Sequence, residues 1–414
     1  MDFYSLKKYK YNKFVLLAGL VFSIIWILLV DTKPFSDFQY YYDVAVNVAS
    51  GLQWGNTYTA VGYSIILGGL FKIFGASLMT AKIFNIFLIT LNSILFIEIL
   101  DRVNLKDLDV KIIFTLFVLF PNNIFYAGLI ANELIFTTLL FICTLVYFSN
   151  FKYKYMVLGI LTGINTIIKP FFIVFFFAIF LVDLLKERKF LAASRNSLIV
   201  LLFCCITISP WIYRNTKLVG QFTYVSNNSG IVLYINNNSQ NDTGRWMAAS
   251  DVENSVVETQ EYINANMTEK NKMLSAAAKE WIAAHPGEFL NLGMKRLSNT
   301  FLYGDDAYYS ANGSSLTDAQ KDQLYTYTNN YRKFIFQPAI LCILLYSIII
   351  LWSIIKRKTH MLNKFNLYTA VLFYMFTVIY FATEGQGRYA FPMIFIFVYY
   401  FYLLIYSVIT RQKV

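Results

Sequence analysis

Ten long apolar stretches recur along this chain, and they constrain its fold more than any other feature. They cover approximately residues 14–30, 79–99, 112–128, 133–149, 155–168, 170–185, 196–212, 334–355, 365–382 and 389–409. About 20 consecutive apolar residues form a helix that can cross a bilayer. Hydrophobic side chains make up 57% of the 414 residues, charged ones only 14%, and the mean hydropathy is +0.51. The sequence therefore predicts an all-α polytopic membrane protein with about ten transmembrane helices.

The basic residues are distributed unevenly between the loops, and this bias predicts the orientation of the chain. Short cytoplasmic loops carry an excess of Lys and Arg. A cytoplasmic N-terminus places the following basic residues inside: Lys7, Lys8, Lys10, Lys13, Arg102, Lys106, Lys111, Lys152, Lys154, Lys186, Arg188, Lys189, Arg195, Lys356, Arg357, Lys358, Lys364, Arg411 and Lys413. The apolar run 63–74 is short for a crossing, and counting it as a span would reverse the bias. We therefore expect both termini inside and 63–74 as an interfacial or re-entrant segment on the outer face.

This topology divides the chain into three parts. Residues 1–212 form an N-terminal transmembrane module with an external loop at 31–78, residues 213–333 form an extracytoplasmic region, and residues 334–414 form the C-terminal transmembrane helices. The external region is expected to be mainly helical, with helices over 268–284 and from Pro286 to about 302, and a strand-like segment at 231–235. The runs 155–168 and 170–185 are either two spans or one helix kinked at Pro170.

Seven ionisable residues lie at predicted span ends on the outer side. They are Asp37, Asp43, Glu133, Lys169, Arg214, Glu384 and Arg388. Charged groups at membrane depth are costly, and they persist mainly where they line a polar cavity or pair with one another. We therefore interpret the seven as parts of one site.

Asp37 is the strongest candidate for a catalytic acid or base. A helix starting there places Asp37 and Tyr41 on one stripe, with Asp43 nearly opposite. The alternative is structural, because Ser36 is a good helix cap and an acid in the first turn is favoured by the helix dipole. Asp37 alone, rather than Asp43, is therefore favoured for catalysis.

The other candidates also have structural alternatives. Glu133 opens a predicted span, where an acid stabilises a helix N-terminus. Lys169, before Pro170, is placed to extend to the interface. Arg388 lies in the glycine-containing segment EGQGRYAFP, which suits a guanidinium that holds a phosphate, although an interfacial anchor is a rival. The three tyrosines at 40–42 are more typical of an aromatic belt at the membrane surface than of ligands.

Several other classes of site are not indicated. The net charge of +11 is explained by the loop bias, so no nucleic-acid partner is expected. The four cysteines lie in apolar segments, and His285 and His360 are far apart in sequence. No cofactor is expected, with a divalent cation as the alternative left open.

The order of several short motifs resembles a known family. These motifs are listed in chain order: Ser36-Asp37 with Tyr41, Gly62-Tyr63, Phe74-Gly75, Ala81-Lys82, Asn132-Glu133, Lys169-Pro170, Pro210-Trp211, Arg214-Asn215, Trp281, His285-Pro286, Glu384, Arg388-Tyr389 and Pro392. The arrangement resembles the GT-C membrane glycosyltransferases, in particular the glycosyltransferase family 39 group. That group includes protein O-mannosyltransferases and bacterial aminoarabinose transferases.

The resemblance implies transfer of a hexosyl or pentosyl group, with inversion, from a polyprenyl-phosphate-sugar to an extracytoplasmic hydroxyl. Asp37 would be the base, and Glu133 would orient the acceptor or share that role. Arg388, Lys169 and Arg214 would neutralise the departing phosphate, and Tyr41, Asp43 and Glu384 would bind substrate. Family members with two adjacent acids in the first loop differ from this chain, in which Phe38 follows Asp37. Donors with one phosphate commonly need no metal in this family.

Composition and topology suggest where such an enzyme would work. The abundance of Ile, Phe, Lys, Asn and Tyr indicates an AT-rich bacterial genome, hence a cytoplasmic membrane with its active site on the outer face and an undecaprenyl carrier. The acceptor is expected to be a glycan, lipid or protein, and membrane lipids surround the chain. A lipid-linked oligosaccharide flippase or polymerase, or another polytopic transporter, remains the alternative.

Overall fold

The computed structural model describes residues 10–103 and 105–410 of the chain, and within these ranges every regular element is helical. The residues Lys7, Lys8, Arg411 and Lys413, which contribute to the predicted charge bias, lie outside the described ranges. The all-α prediction is therefore confirmed for the part of the chain that the structure covers.

The α-helices are numbered here in chain order. They are α1 (Lys10–Leu29), α2 (Ser36–Ala49), α3 (Gly62–Phe74), α4 (Leu78–Asp101), α5 (Asp107–Val118), α6 (Pro121–Phe125), α7 (Glu133–Tyr147), α8 (Lys154–Ile168), α9 (Phe175–Glu187), α10 (Phe190–Val219), α11 (Ser229–Asn236), α12 (Gln260–Asn264), α13 (Met267–Ala284), α14 (Pro286–Phe301), α15 (Asp306–Ser310), α16 (Asp318–Ile355), α17 (Lys364–Ala382) and α18 (Ile394–Thr410). Short 3₁₀ segments include Pro170–Val174, before α9, and Gly387–Met393, before α18.

Six of the described segments are long and apolar enough to cross a membrane: Lys10–Leu29, Leu78–Asp101, Phe190–Val219, Asp318–Ile355, Lys364–Ala382 and Gly387–Ile409. Large apolar side chains on their surfaces, such as Leu28, Leu202 and Ile348, are exposed, as expected for helices that face lipid. The protein is a polytopic membrane protein. The predicted number of about ten spans stays a prediction, because α7, α8 and α9 are shorter.

Small residues allow α8 and α10 to pack closely. A Cβ atom added to Gly159 would lie 2.6 Å from the Phe203 Cβ, and one added to Gly163 would lie 2.5 Å from the Thr207 Cβ. Two small residues four positions apart on one helix face let the backbones approach, as in many membrane helix pairs. This contact holds the helix that carries the Lys169-Pro170 motif at its end.

The predicted continuous run 112–128 is wrong as a single helix. Helix α5 ends at Val118 and α6 begins at Pro121, because proline cannot donate a backbone hydrogen bond and is tolerated in a first turn. The Asn123 amide donates to the Phe117 carbonyl at 2.6 Å and so satisfies an acceptor at the end of α5. The break turns the chain before it reaches Glu133.

The segments on either side of Pro170 are two helices rather than one kinked helix. The Tyr155 hydroxyl, near the start of α8, donates to Asp183, near the end of α9, at 2.8 Å. The chain therefore reverses direction at Lys169 and Pro170. Lys169 is thus placed at a turn between two antiparallel helices.

The region 213–333 contains the end of α10, five complete helices, α11 to α15, and the beginning of α16. The predicted helices after 268 and from Pro286 are confirmed as α13 and α14. The strand-like prediction for 231–235 is wrong, because this segment belongs to α11. Tyr234 and Ile235 pack in one core with Leu274 and Ala278 of α13, so contact with another helix overrides the β-propensity of an isolated apolar run.

Helix α16 begins well before the predicted apolar run at 334. Thr317 accepts from the Gln320 amide and Gln320 reciprocates, which forms a capping box at its start. The helix has 38 residues, and at about 1.5 Å per residue it is roughly 57 Å long. It therefore connects the region 213–333 to the far end of the bundle as one continuous helix, which contains Pro338.

Candidate active site

Asp37 and Arg388 form the central ion pair of the candidate site. The Arg388 Nη2 donates to the Asp37 Oδ2 at 2.6 Å, across 351 positions of the sequence. Ser36 is already inside α2, with a positive φ of 47°, and no side-chain hydrogen bond caps the helix. The proposed capping role of Ser36 is therefore wrong. The carboxylate of Asp37 is 48% exposed, so it is open to an incoming group.

The guanidinium of Arg388 is enclosed by aromatic rings. Its Cζ lies 5.5 Å from the ring centre of Phe38 and 5.4 Å from that of Tyr389. The side chain is 11% exposed, and its Nε is buried with no hydrogen-bond partner in the protein. Arg388 thus packs inside the protein rather than at a lipid interface, and part of its donor capacity is unused.

A buried ion pair between Arg332 and Asp306 holds the backbone next to Arg388. Arg332 on α16 donates to Asp306 at 2.6 Å and to the Gly387 carbonyl at 3.2 Å. A Cβ atom on Gly387 would lie 2.2 Å from the Gly304 Cα, so only glycine allows this close approach. The Tyr126 hydroxyl completes the network by donating to Asp306 at 2.6 Å. These contacts hold the backbone of Gly387, the residue that precedes Arg388.

Glu133 and Lys169 form a second pair close to the first. The Lys169 Nζ lies 3.0 Å from the Glu133 Oε1, and the Glu133 side chain is 1% exposed. The burial of Lys169 contradicts the alternative in which it extends to the membrane interface. The second oxygen of Glu133 is buried without a hydrogen-bond partner.

Tyr389 connects the two pairs and Glu384. Its ring centre lies 5.4 Å from the Lys169 Nζ, as well as 5.4 Å from the Arg388 Cζ. Its hydroxyl donates to Glu384 at 2.5 Å, and the Gln386 amide donates to the other Glu384 oxygen at 2.6 Å. A ring face attracts cations, so Tyr389 holds both positive groups in place.

Tyr41 lies beside the cluster, as expected from its position one turn after Asp37. The Asn132 amide donates to the Tyr41 hydroxyl at 3.2 Å, and its ring meets that of Tyr63 edge to face at 5.8 Å. Burial and the charge of Asp37 raise the pKa of Tyr41 above its usual value, so the hydroxyl stays protonated at neutral pH. Tyr41 is therefore packed inside the protein beside the candidate site, rather than placed at the membrane surface.

Asp43 and Arg214 are not brought into this cluster. Asp43 is exposed and accepts from Gln39 at 2.7 Å. The guanidinium of Arg214 donates to the backbone carbonyls of Trp54 at 2.9 Å and Gly55 at 2.6 Å. Arg214 thus holds the loop between α2 and α3. Among the described residues, no hydrogen bond or ion pair joins Arg214 to Arg388.

The same loop brings Tyr58 toward the site. Burial raises the pKa of Tyr58, and the charges of Asp37 and Glu384 raise it further. The Asn227 backbone amide donates to the Thr57 carbonyl at 2.7 Å, which joins the loop to the region 213–333. Tyr58 is consequently a neighbour of the candidate site, and its loop is also joined to the region 213–333.

A solved structure has a similar fold. It is the oligosaccharyltransferase of Archaeoglobus fulgidus, crystallised with a tethered acceptor peptide that contains the NVT sequon. The TM-score is 0.50 at 12% sequence identity, and the match covers 98% of the present chain. This protein has the GT-C fold. The chain spans about half, 50%, of the length of that oligosaccharyltransferase.

The fold resemblance stands without support from sequence comparison. No protein-family model matches the chain, and no curated protein matches it significantly. The GT-C fold therefore rests on the structural similarity alone. Membership of the family 39 group stays a prediction.

Several residues of this candidate site were not among the sequence-based candidates. Three of them are adjacent in sequence to a candidate residue or to a motif glycine: Tyr389, Asn132 and Tyr63. This adjacency was the sequence feature that could have indicated them. Arg332 and Asp306 had no such signal, because they lie in segments interpreted as a polar external region. Their pairing depends on how α15 and α16 meet the 3₁₀ segment before α18.

No metal site is apparent in the part of the chain that the structure describes. Within residues 10–103 and 105–410, no three His, Cys, Asp or Glu side chains come together as potential ligands. The expectation about metal dependence stays a prediction.

The buried Glu133–Lys169 pair leads to a prediction about stability. Glu133→Gln leaves the buried Lys169 ammonium without a counter-charge, and breaking such a pair costs about 3–5 kcal/mol. We expect Glu133→Gln to lower the thermal unfolding temperature clearly in detergent, and Glu133→Gln combined with Lys169→Met to recover much of the loss. Glu288→Gln on α14, an exposed acid, is the control. Equal losses in the single and the double variant would show that the two groups are not coupled.

Proposed function

We propose that the protein is a membrane glycosyltransferase that moves a sugar from a polyprenyl-phosphate donor to an acceptor hydroxyl on the outer face of a bacterial cytoplasmic membrane. The observation that carries this proposal is the Asp37–Arg388 pair, at 2.6 Å, in a GT-C fold. This pair combines a half-exposed carboxylate with a guanidinium whose Nε has no hydrogen-bond partner in the protein.

The reaction is an inverting displacement at the anomeric carbon. Asp37 accepts the proton of the acceptor hydroxyl, whose oxygen forms a bond to the anomeric carbon. The bond from that carbon to the phosphate oxygen breaks, and the polyprenyl phosphate leaves with the electron pair. Arg388 donates hydrogen bonds to the departing phosphate, where negative charge develops.

The ion pair also suggests an order of events. While Asp37 accepts a hydrogen bond from Arg388, one oxygen of the carboxylate is occupied by the guanidinium. A phosphate oxygen that binds the guanidinium competes for this contact and releases the carboxylate toward the acceptor. Donor binding thereby activates the base, which limits proton removal to complexes that contain the donor.

Glu133 and Lys169 support the same site. Lys169 contributes positive charge near Arg388 and Tyr389, and the unpartnered oxygen of Glu133 is available to orient an acceptor hydroxyl. Tyr58 and the region 213–333, which the Asn227–Thr57 hydrogen bond joins, are proposed to contribute to acceptor binding. The acceptor is proposed to be a glycan, lipid or protein, and the carrier to be undecaprenyl phosphate.

The test is a transfer assay with the purified protein in lipid nanodiscs. Donors with one polyprenyl phosphate and a radiolabelled hexose or pentose are compared with diphosphate-linked and nucleotide-linked sugars. We expect release of labelled sugar, or its transfer to cell-envelope material, only from the monophosphate donor, and the same rate in EDTA. Movement of fluorescent lipid-linked sugar across proteoliposomes without sugar release would instead identify a flippase and overturn the proposal.

A further inference from the structure

A cavity lies at the opposite end of α16 from the candidate site. It has a volume of about 580 Å³ and is formed by the last turns of α16, the connection 356–363 and the first turn of α17. We call it the α16–α17 pocket. Lys356 is 24 positions after Arg332, which corresponds to about 36 Å along a helix. A cavity of this size is in the range of small-ligand sites.

The connection that forms the floor of this pocket is held in one conformation. The Lys186 Nζ donates to the Leu362 carbonyl at 2.6 Å, and Arg188 donates to the Arg357 carbonyl at 2.7 Å. Arg357 has a φ of 53°, which marks a tight turn between Lys356 and Lys358. Lys186, in the last turn of α9, and Arg188, just after that helix, thus hold the backbone of the connection that carries Lys358.

The pocket carries uncompensated positive charge. Lys356 and Lys358 line it, and neither forms an ion pair within the described ranges. The sequence contains no Asp or Glu between positions 322 and 384. The Lys356 Nζ lies 4.8 Å from the ring centre of Trp352, which holds it at the rim.

Tyr346 also lines the pocket, and it carries a buried hydroxyl group. The Tyr346 side chain is 4% exposed, and its hydroxyl is buried without a hydrogen-bond partner in the protein. A buried hydroxyl of this kind is costly unless a ligand or water satisfies it. The Ser353 side chain, two turns later on the same face of α16, lines the cavity as well.

The mouth of the pocket is apolar and exposed. Trp352 is 60% exposed and Met361 71% exposed, and both belong to the lining. Side chains of this kind at the end of a membrane helix face lipid rather than water. The basic loops place this end of the bundle on the cytoplasmic side.

We propose that the α16–α17 pocket binds the phosphate headgroup of an anionic phospholipid from the inner leaflet, with Lys356 and Lys358 on the phosphate and the Tyr346 hydroxyl as a donor. The acyl chains leave along Trp352 and Met361. This lipid site is independent of the proposed transferase reaction. Lysines near a membrane surface attract anionic lipids, and a fixed pair adds specificity for a bound headgroup.

The test measures lipid retention by native mass spectrometry on the full chain in detergent. Wild-type protein is titrated with phosphatidylglycerol and, separately, with phosphatidylcholine. We expect Lys356→Gln combined with Lys358→Gln to weaken phosphatidylglycerol binding on the order of tenfold. The matched control is Lys152→Gln combined with Lys189→Gln, which removes the same charge from other loops of the same side. This control should bind like wild type.

A second variant separates the pocket from general surface charge. Tyr346→Phe removes only the hydroxyl, and we expect it to weaken phosphatidylglycerol binding without changing the unfolding temperature. Equal binding by wild type and both pocket variants would overturn the proposal, and so would equal binding of the two lipids by wild type. Displacement of the lipid by millimolar inorganic phosphate would show a free-anion site and would also overturn it.

Discussion

Asp37→Asn is expected to reduce sugar transfer by about 10²–10⁴-fold, the range that a general base contributes to catalysis. The amide has almost the same shape as the carboxylate, and its oxygen still accepts a hydrogen bond from Arg388. Folding should therefore survive, whereas proton acceptance is lost. The measurement is the initial rate of transfer from a labelled polyprenyl-phosphate-sugar, together with the unfolding temperature.

Asp43→Asn is the matched control for this experiment, because Asp43 lies on the same helix and is exposed. It should retain the wild-type rate. Asp37→Glu should keep part of the activity, since the longer side chain still supplies a base. Full turnover in Asp37→Asn would exclude Asp37 as the base and would move that role to Glu133.

Arg388→Lys is expected to lower the transfer rate by about 10²–10³-fold, the usual effect of removing one preorganised donor to a developing negative charge. Lysine keeps the charge but lacks the planar guanidinium that can hold a phosphate through two parallel hydrogen bonds. We expect donor binding to weaken as well, because ground-state contacts to the phosphate are lost. The rate and the donor affinity, from titration of a non-transferable analogue, are measured together.

The matched control is Arg195→Lys, an exposed arginine on α10 far along the helix from the site. It should leave both quantities unchanged. If Arg388→Lys binds donor like wild type, Arg388 does not hold the phosphate. A lower rate with unchanged affinity would then assign it to orienting Asp37 alone.

The two variants together also test the proposed order of events. If donor binding releases Asp37 from Arg388, Asp37→Asn should bind the donor at least as tightly as wild type, because the phosphate no longer competes with a carboxylate for the guanidinium. Arg388→Lys should bind it less tightly. Retained or tighter donor binding in Asp37→Asn, together with weaker binding in Arg388→Lys, is the signature of this competition.

The local structure of the chain follows from its sequence to a large extent. Apolar runs predict helices because a backbone in lipid must satisfy its own hydrogen bonds, and α4, α8 and α17 lie within a few residues of their predicted limits. The amphipathic pattern before Pro286 predicts α13 and the start of α14 equally well. The errors occur where a short signal competes with packing, as at 231–235, or where Pro121 divides an apolar run.

The chemistry at the span ends was visible in the sequence only as a set of charges. Charge at membrane depth is costly whatever its partner, so Asp37, Glu133, Lys169 and Arg388 could be selected one by one. Their partners could not be selected, since helical periodicity describes a single element and contains no information about which elements meet. Asp43 and Arg214 met the same criteria and proved to lie outside the cluster.

Sequence reasoning therefore gave the class of the protein, the helices and the Asp37 stripe, because burial in lipid and helical periodicity act locally. The pairing of Asp37 with Arg388 and of Glu133 with Lys169 came from the folded bundle. So did the support of Gly387 by Arg332 and the unpartnered Tyr346 hydroxyl of the α16–α17 pocket. Each of these depends on contacts between helices distant in the chain, which form only when the whole set of helices packs together.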